Sequence, residues 1–523
     1  VAVVGGGVAG LACARRLGDL GIHAVVFDTG KRGAGGRASS RWWETDVPVD
    51  HAAQYATATT VEFGEFMADL EGQGIVRKWD DGSFGRLRGQ TFLPIVDDRC
   101  TRYIGTCGIG SIADAAARGV NVEQDVWISP SQGVQRERDG AWTLKLPARH
   151  SSGRFDAVVI AHNGKCAERL TSKQPSHRVH ALLRANFAAQ LPKAPRAGSG
   201  RMSLNSLYSL LFEVKAGLLP SFAGAFVDGE PSLRWLSNNA MKYGQLGENT
   251  HVWTALSSAS FGQKHKHPQE HLEGSPKEAE VTTLLLEAVE RATGLGPGTL
   301  KSHVVRSKLQ LWGAAVPINR WSYDYVWDAS YSIGIAGDWL SADMRRASTI
   351  EGAWFSGTSL ADHIALSSSQ DYGLELGERG GRFEPAGGGG FGSTSSDAGA
   401  AWVALPSTNA PTAQEGRRKK DTERTEKGRD NSPPRQRQDG NAKPALFVVN
   451  LPYAATEADV AAHFETVAPG EVQAVRLLRT AQGKSRGLGS VQLRSANAAG
   501  ICIQELDGST LGGRVLKVSY DKH

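Results

Sequence analysis

Val1-Ala2-Val3-Val4-Gly5-Gly6-Gly7-Val8-Ala9-Gly10 opens the chain, and the reading of this stretch decides the fold. The first four residues are apolar and suit a parallel strand buried on both faces. Gly5, Gly7 and Gly10 satisfy G-x-G-x-x-G, and Leu11, Ala14, Arg15 and Leu17 continue at helical spacing. Gly21 ends that helix, and Ala24-Val25-Val26-Phe27-Asp28 reads as a second buried strand closing on a carboxylate. Strand, glycine turn, helix, strand and acid in this order turn a weak motif into a dinucleotide site of Rossmann type. Gly5 permits the tight turn, Gly7 lets the backbone approach a pyrophosphate, and Gly10 brings helix and strand together. Val8 and Ala9 begin the helix, whose unpaired N–H groups and partial positive charge suit phosphates. Asp28, 18 residues after Gly10, can accept both hydroxyls of a ribose.

Further along, Asp28-Thr29-Gly30-Lys31-Arg32-Gly33-Ala34-Gly35-Gly36-Arg37 adds a second Gly-Gly-Arg element. This resembles the flavin amine oxidase superfamily and so implies FAD rather than a nicotinamide cofactor. In that resemblance Gly35 and Gly36 sit against the diphosphate and Arg37 adds positive charge. Ser332-Ile333-Gly334-Ile335-Ala336-Gly337-Asp338 reads as a buried strand ending in Gly-Asp, and Thr349 opens a helix running to about Ile364. The resemblance implies that Gly337 and Asp338 meet the ribityl chain, and that Glu351, Gly352 and Ala353 present a helix N-terminus to the flavin pyrimidine. A positive helix end there favours an anionic reduced flavin and promotes hydride acceptance. Phe155-Asp156-Ala157-Val158-Val159-Ile160-Ala161 is the expected return strand of the dinucleotide fold.

Within the superfamily the chain is similar to the renalase-like branch, above all its plant and algal members. Gly35-Gly36-Arg37-Ala38-Ser39-Ser40-Arg41, Asp50-His51-Ala52-Ala53-Gln54-Tyr55, Ala161-His162-Asn163-Gly164-Lys165-Cys166 and Leu309-Gln310-Leu311-Trp312-Gly313-Ala314-Ala315-Val316-Pro317 carry the likeness over most of residues 1–366. It implies an FAD-dependent oxidoreductase taking a hydride from a small reduced heterocycle or amine and passing electrons to an acceptor, with oxygen a candidate. Animal and bacterial members of that branch commonly hold Arg-Trp where this chain has Leu311-Trp312, which removes a cation and leaves the substrate open. No catalytic base is assigned; Gln54, Tyr55 and Trp312 are the weak catalytic candidates, and His51 is read as structural before it is read as a base. The competing class is an RNA-binding or protein-docking protein whose flavin domain is vestigial.

Composition divides the 523 residues into parts. An apolar fraction of 40% and a charged fraction of 22% are ordinary for globular protein. The expected α/β architecture has an FAD-binding domain at 1–166 and 316–366, an inserted α+β substrate domain at 167–315, a disordered linker at 367–444, and an RNA recognition motif at 445–523. The linker reading rests on Gly387 to Gly392 and the charged run Arg417 to Asp439, which carry too few core-forming residues to offset ordering entropy. No apolar run reaches membrane-spanning length. Five scattered cysteines without a C-x-x-C pair argue against a disulfide framework and a structural metal, and suit an intracellular location, cytoplasm or an organelle such as a plastid. Val1 already lies in a strand, so the true N-terminus is expected upstream.

From Ala445 the pattern is βαββαβ, a ferredoxin-like order. Leu446-Phe447-Val448-Val449-Asn450-Leu451 and Arg486-Gly487-Leu488-Gly489-Ser490-Val491-Gln492-Leu493 stand at the two signature positions. This resembles an RNA recognition motif, whose central strands stack bases on aromatics. Phe447 remains, but Leu488 and Ser490 occupy the two exposed aromatic positions, and each lost stack removes about 1–3 kcal/mol. Lys484, Arg486 and Lys517, with Arg476, can still meet phosphates, so RNA is the expected partner of this domain, alongside a protein-docking alternative.

Overall fold

The computed structural model describes residues 1–43, 47–95, 100–129, 133–146, 153–191, 200–245, 249–366, 380–386, 445–449, 451–452, 454–479, 485–512 and 514–520. They belong to two compact units, Val1–Ala410 and Pro411–His523.

The first unit is built on the opening strand. Ala2–Val4 lies between Val25–Phe27 and Val158–Ile160, parallel to both, with Ala2 opposite Val25 and Val158. Asn121–Glu123 extends this sheet on one side; Ile333–Ile335 and then the antiparallel Val326–Asp328 extend it on the other. The helices Val8–Asp19 and Ile350–Ala365 pack against each other. A Cβ on Gly357 would stand 2.1 Å from the Ala9 carbonyl oxygen, so only glycine lets the two helices approach this closely.

A seven-stranded sheet forms the other layer. Its order is Val304–Trp312, Leu207–Lys215, Thr250–Ser257, Leu233–Asn238, Gly224–Asp228, Phe84–Arg88 and Thr91–Pro94. The helix Pro276–Thr293 covers it, started by Ser275 as N-cap and stopped by Gly294 in the left-handed region. Two domain expectations need correction. The hairpin Phe84–Pro94 falls within the expected dinucleotide domain, yet it pairs with Gly224–Asp228 in the second sheet. Burial explains the move: Phe84 and Leu87 are 4% and 1% exposed, and each gains about 1.5–3 kcal/mol by leaving water. Within the expected disordered linker, Phe383–Pro385 is an ordered strand paired with Asn319–Trp321. Its Phe383 ring finds aromatic partners in Trp321 and Trp339. The other linker positions, 367–379 and 387–444, lie outside the described residues.

The second unit is an antiparallel sheet in the order Val472–Arg479, Ser485–Leu493, Ala445–Val449, Lys517–Tyr520. Leu446, Val448, Val491, Leu493 and Val518 turn inward onto Val460, Phe464, Ala499 and Cys502 of the helices Glu457–Glu465 and Ala496–Leu506. Strand alternation therefore leaves Phe447, Ser490 and Lys517 on the opposite face. Thr456 and Asp459 form the reciprocal capping box that their spacing predicts.

Candidate dinucleotide cleft and nucleic-acid interface

A cleft of about 430 Å³ opens at the C-terminal ends of the parallel strands, the place where open α/β sheets take ligands. Gly5, Gly7, Val8, Ala9, Asp28, Gly35, Gly36, Arg37, Gly337, Asp338 and Ala353 line it, from four separate parts of the chain. No side chain caps the helix at Gly7, so its first amides remain available. A Cβ on Gly7 would enter open space and one on Gly36 would approach only Gly7 Cα, at 3.8 Å. The second glycine pair is tied to the first by Gly35 N–H donating to Gly6 O at 2.6 Å. Asp28 accepts Gly6 N–H on Oδ1 at 3.0 Å and Gly30 N–H on Oδ2 at 3.1 Å. That fixes the carboxylate while leaving each oxygen a lone pair.

The two ends of the cleft are joined by charge. Arg37 was expected at a diphosphate and Asp338 at a ribityl chain, but they bind each other in a fork, Nη1 to Oδ2 at 2.9 Å and Nη2 to Oδ1 at 2.8 Å. Arg37 also donates to Ala315 O at 2.7 Å. The pair neutralises the arginine that was expected to supply net positive charge.

Several expected site residues lie elsewhere. Gly10 is a packing residue, since a Cβ there would stand 2.0 Å from Gly5 O. Glu351 and Gly352 do not line the cleft. The Glu351 carboxylate accepts the backbone N–H and hydroxyl of both Thr59 and Thr60 at 2.8–3.1 Å. Gly352 abuts the Arg346 carbonyl. Gln54 is consumed internally, donating to Asp50 O and Ala52 O and accepting from Ser237 Oγ. Tyr55 is buried against Trp79, Phe84 and Trp235. Neither reaches the cleft, whereas Trp312 does.

Trp312 stacks on His51, ring centres 5.4 Å apart and planes 10° from parallel, and donates Nε1–H to His51 O. Ser39 Oγ donates to Gly36 O at 2.7 Å, so His51 Nε2 is assigned as the donor to Ser39 Oγ at 3.2 Å. Burial, reinforced by Arg41 and opposed by Asp50, holds His51 down at about 3. It is neutral and structural.

Four further features carry no role in the sequence expectations. His162 lines the cleft with its pKa lowered to about 4 by burial, against Asn163 and Asp28. Trp127 stands at the cleft with 52% exposure. Its loop is clamped beside Asp28, with Val126 N–H on Asp28 O and Asp125 N–H on Gly30 O. Cys166 also lines the cleft and is exposed. Away from the cleft lining, fully buried Lys242 donates to Asp50 Oδ2 at 2.6 Å and Gln54 O at 2.5 Å. Asp50 further accepts Ser40 Oγ, Ile109 N–H and Tyr243 Oη–H. Burial lowers the Lys242 pKa and Asp50 opposes the shift. An exposed tryptophan after an unremarkable strand, or a lysine 192 residues from its partner, carries no local signal.

On the second unit, Arg476, Ser490, Phe447 and Ser519 form one row across the strands by register. Phe447, Leu488 and Ser490 are half-buried; Arg476 and Lys517 are exposed.

Residues 446–517 match the family model of the RNA recognition motif. Over 76 residues the chain is 38% identical to RbpE of Nostoc sp. (strain PCC 7120 / SAG 25.82 / UTEX 2576), a protein named as RNA-binding, covering 14% of this chain and 75% of that protein. This chain belongs to the RNA recognition motif family. In its RNA recognition motif, the basic position Lys484 lies outside the described residues, and so does the side chain of Arg486. The second such domain of yeast poly(U)-binding protein Pub1 is 23% identical, covering 15% of this chain and 95% of that one, TM-score 0.15. Residues 3–70 match the NAD(P)-binding Rossmann-like domain. A structure from Exiguobacterium sp. 255-15, named as a protoporphyrinogen oxidase, is 10% identical over 70% of this chain and 98% of its own, TM-score 0.47. Among the described residues no helix is long and apolar enough to cross a membrane.

Proposed function

We propose that the first unit is an FAD-dependent oxidoreductase of renalase-like type. The observation that carries this reading is the length of the cleft. It runs from Asp28 past two glycine pairs to Gly337, Asp338 and the start of the helix Ile350–Ala365, so both helix N-termini serve one elongated ligand. A ribose, a diphosphate and a second ring system find a carboxylate, free amides and an aromatic-lined end in that order. When bound, FAD supplies a two-electron acceptor.

The chain's own groups narrow the substrate class. Leu311, at the position where the renalase-like resemblance leads one to expect a cation in animal and bacterial members, is 2% exposed and points into the sheet core, whereas Trp312 faces the cleft. The apolar Trp312 face suits a planar heterocycle. His51, depressed to about 3, is a poor base. A reduced heterocycle that gives up hydrogen with both electrons needs no protein base at that step. The test is visible flavin absorbance in the purified protein and its bleaching by dihydronicotinamide isomers or amines without oxygen. A protein that is colourless and takes up no added FAD overturns the reading.

For the second unit we infer weak, charge-led binding of single-stranded RNA, since one aromatic remains beside exposed Arg476 and Lys517.

A further inference from the structure

Residues 380–386 form a strap that reaches the cleft through one aromatic relay. Phe383 meets Trp321 edge-on at 5.0 Å and stacks on Trp339 at 5.9 Å, planes 16° apart. Trp339 is fully buried, lines the cleft, and presses on Gly337, where a Cβ would stand 3.0 Å from the indole. The strand Asn319–Trp321 lies between the strap and the turn that bears these residues. Trp321 N–H donates to Trp339 O at 2.8 Å, and Ser341 N–H to Trp321 O at 3.1 Å. Glu384 pairs with both Arg320 and Arg382, and Arg320 reaches across to Ser341 O.

Among the described residues, the buried indole nitrogens of Trp321 and Trp339 have no hydrogen-bond partner. Packing among the described residues therefore orients both rings, and Phe383 supplies one face of that packing. The Asp28 end is held differently, by backbone N–H groups of Gly6 and Gly30.

We propose that the strap is a working part of the dinucleotide site. Phe383 is a positioning residue that, through Trp339, sets the Gly337–Asp338 end of the cleft for the flavin half of FAD. The inference rests on the dinucleotide reading above and adds to it a segment beyond the expected domain. Coupling of this kind is reciprocal: the docked strap favours FAD, and FAD favours the docked strap by the same factor.

The experiment is calorimetric titration of the full chain, stripped of bound nucleotide, with FAD and separately with ADP. Phe383→Ala should weaken FAD about tenfold and leave ADP unchanged, because ADP reports only the Asp28 end. Phe383→Tyr should restore FAD binding. Unchanged FAD affinity in folded Phe383→Ala overturns the proposal, and so does an equal loss for FAD and ADP, which marks general damage. If Phe383→Ala does not fold, trypsin cleavage of the wild-type chain after exposed Arg382 decides. FAD should slow it about tenfold and ADP should not; equal rates with and without FAD overturn the proposal. A wild-type chain that binds neither ligand removes the dinucleotide reading itself.

Discussion

Asp28 holds its carboxylate with one backbone N–H on each oxygen, and in the proposed reading this lets it receive a ribose without reorganising. Asp28→Ala should weaken FAD by about 1.5–3 kcal/mol, since two hydroxyls lose a charged acceptor. ADP titration should show the same loss in a chain whose circular dichroism is unchanged; unaltered affinity would remove the ribose assignment. Trp127, half exposed beside that acid, would in the same reading offer an aromatic face to the base. Trp127→Ala should cost ADP about 1 kcal/mol, with Trp127→Phe in between. His51 predicts a pH dependence of stability. Its folded pKa of about 3 lies below the ordinary 6.5, so between these values the unfolded chain binds a proton that the folded chain refuses. The stabilisation is complete above 6.5 and is lost as pH falls toward 3. His162, lowered to about 4, acts in the same direction. Melting temperatures of the first unit should therefore drop from pH 7 to pH 5, and His51→Phe, which keeps a ring against Trp312, should make the drop shallower. An identical slope in the variant would exclude His51 as its source.

Between elements, local pairs were legible and distant ones were not. The Thr456–Asp459 capping box closes over three residues and follows directly from spacing. Glu351 stands where a helix start was correctly placed, yet its partners are 291 and 292 residues away. It bonds Thr60, the N-cap of the helix Val61–Gly72, and thereby fastens two helices together. Glu351→Ala should cost about 1–3 kcal/mol of stability, because two half-buried amides and two hydroxyls lose their acceptor. ADP affinity should stay as it was, which chemical denaturation and calorimetry on one preparation can check together. A loss of ADP binding with unaltered stability would return Glu351 to the cofactor site.

At the scale of the whole molecule, a dinucleotide-binding unit and an RNA recognition motif share one chain. With Phe447 as the aromatic of its central row, the motif should bind single-stranded RNA weakly and with little sequence preference. Affinity should fall steeply with salt, because counterion release supplies the free energy. Phe447→Ala should cost about 1 kcal/mol. Neutralising Arg476 and Lys517 together should cost more and lower the salt slope by about 1 per lost phosphate contact. Fluorescence anisotropy at two salt concentrations is the measurement. Salt-insensitive, sequence-selective binding that vanishes with Phe447→Ala would contradict it, and no binding at low salt would favour a protein partner.

The sequence by itself determined the elements whose causes are short-range. The opening strand, its glycine turn and Asp28 follow from apolar runs and glycine spacing, and the βαββαβ order of the tail follows from alternation and capping. Only the tertiary structure decided which polar groups are spent on one another. Arg37 and Asp338 each read as ligand contacts, and the fold sets them 2.8 Å apart as an ion pair. Gln54 and Tyr55 read as cleft residues, and the fold turns both into the interior. Lys242 and Phe383 carried no signal, because a buried ion pair and an aromatic stack depend on partners brought together from 192 and 44 positions away, by packing free energy that no local pattern encodes.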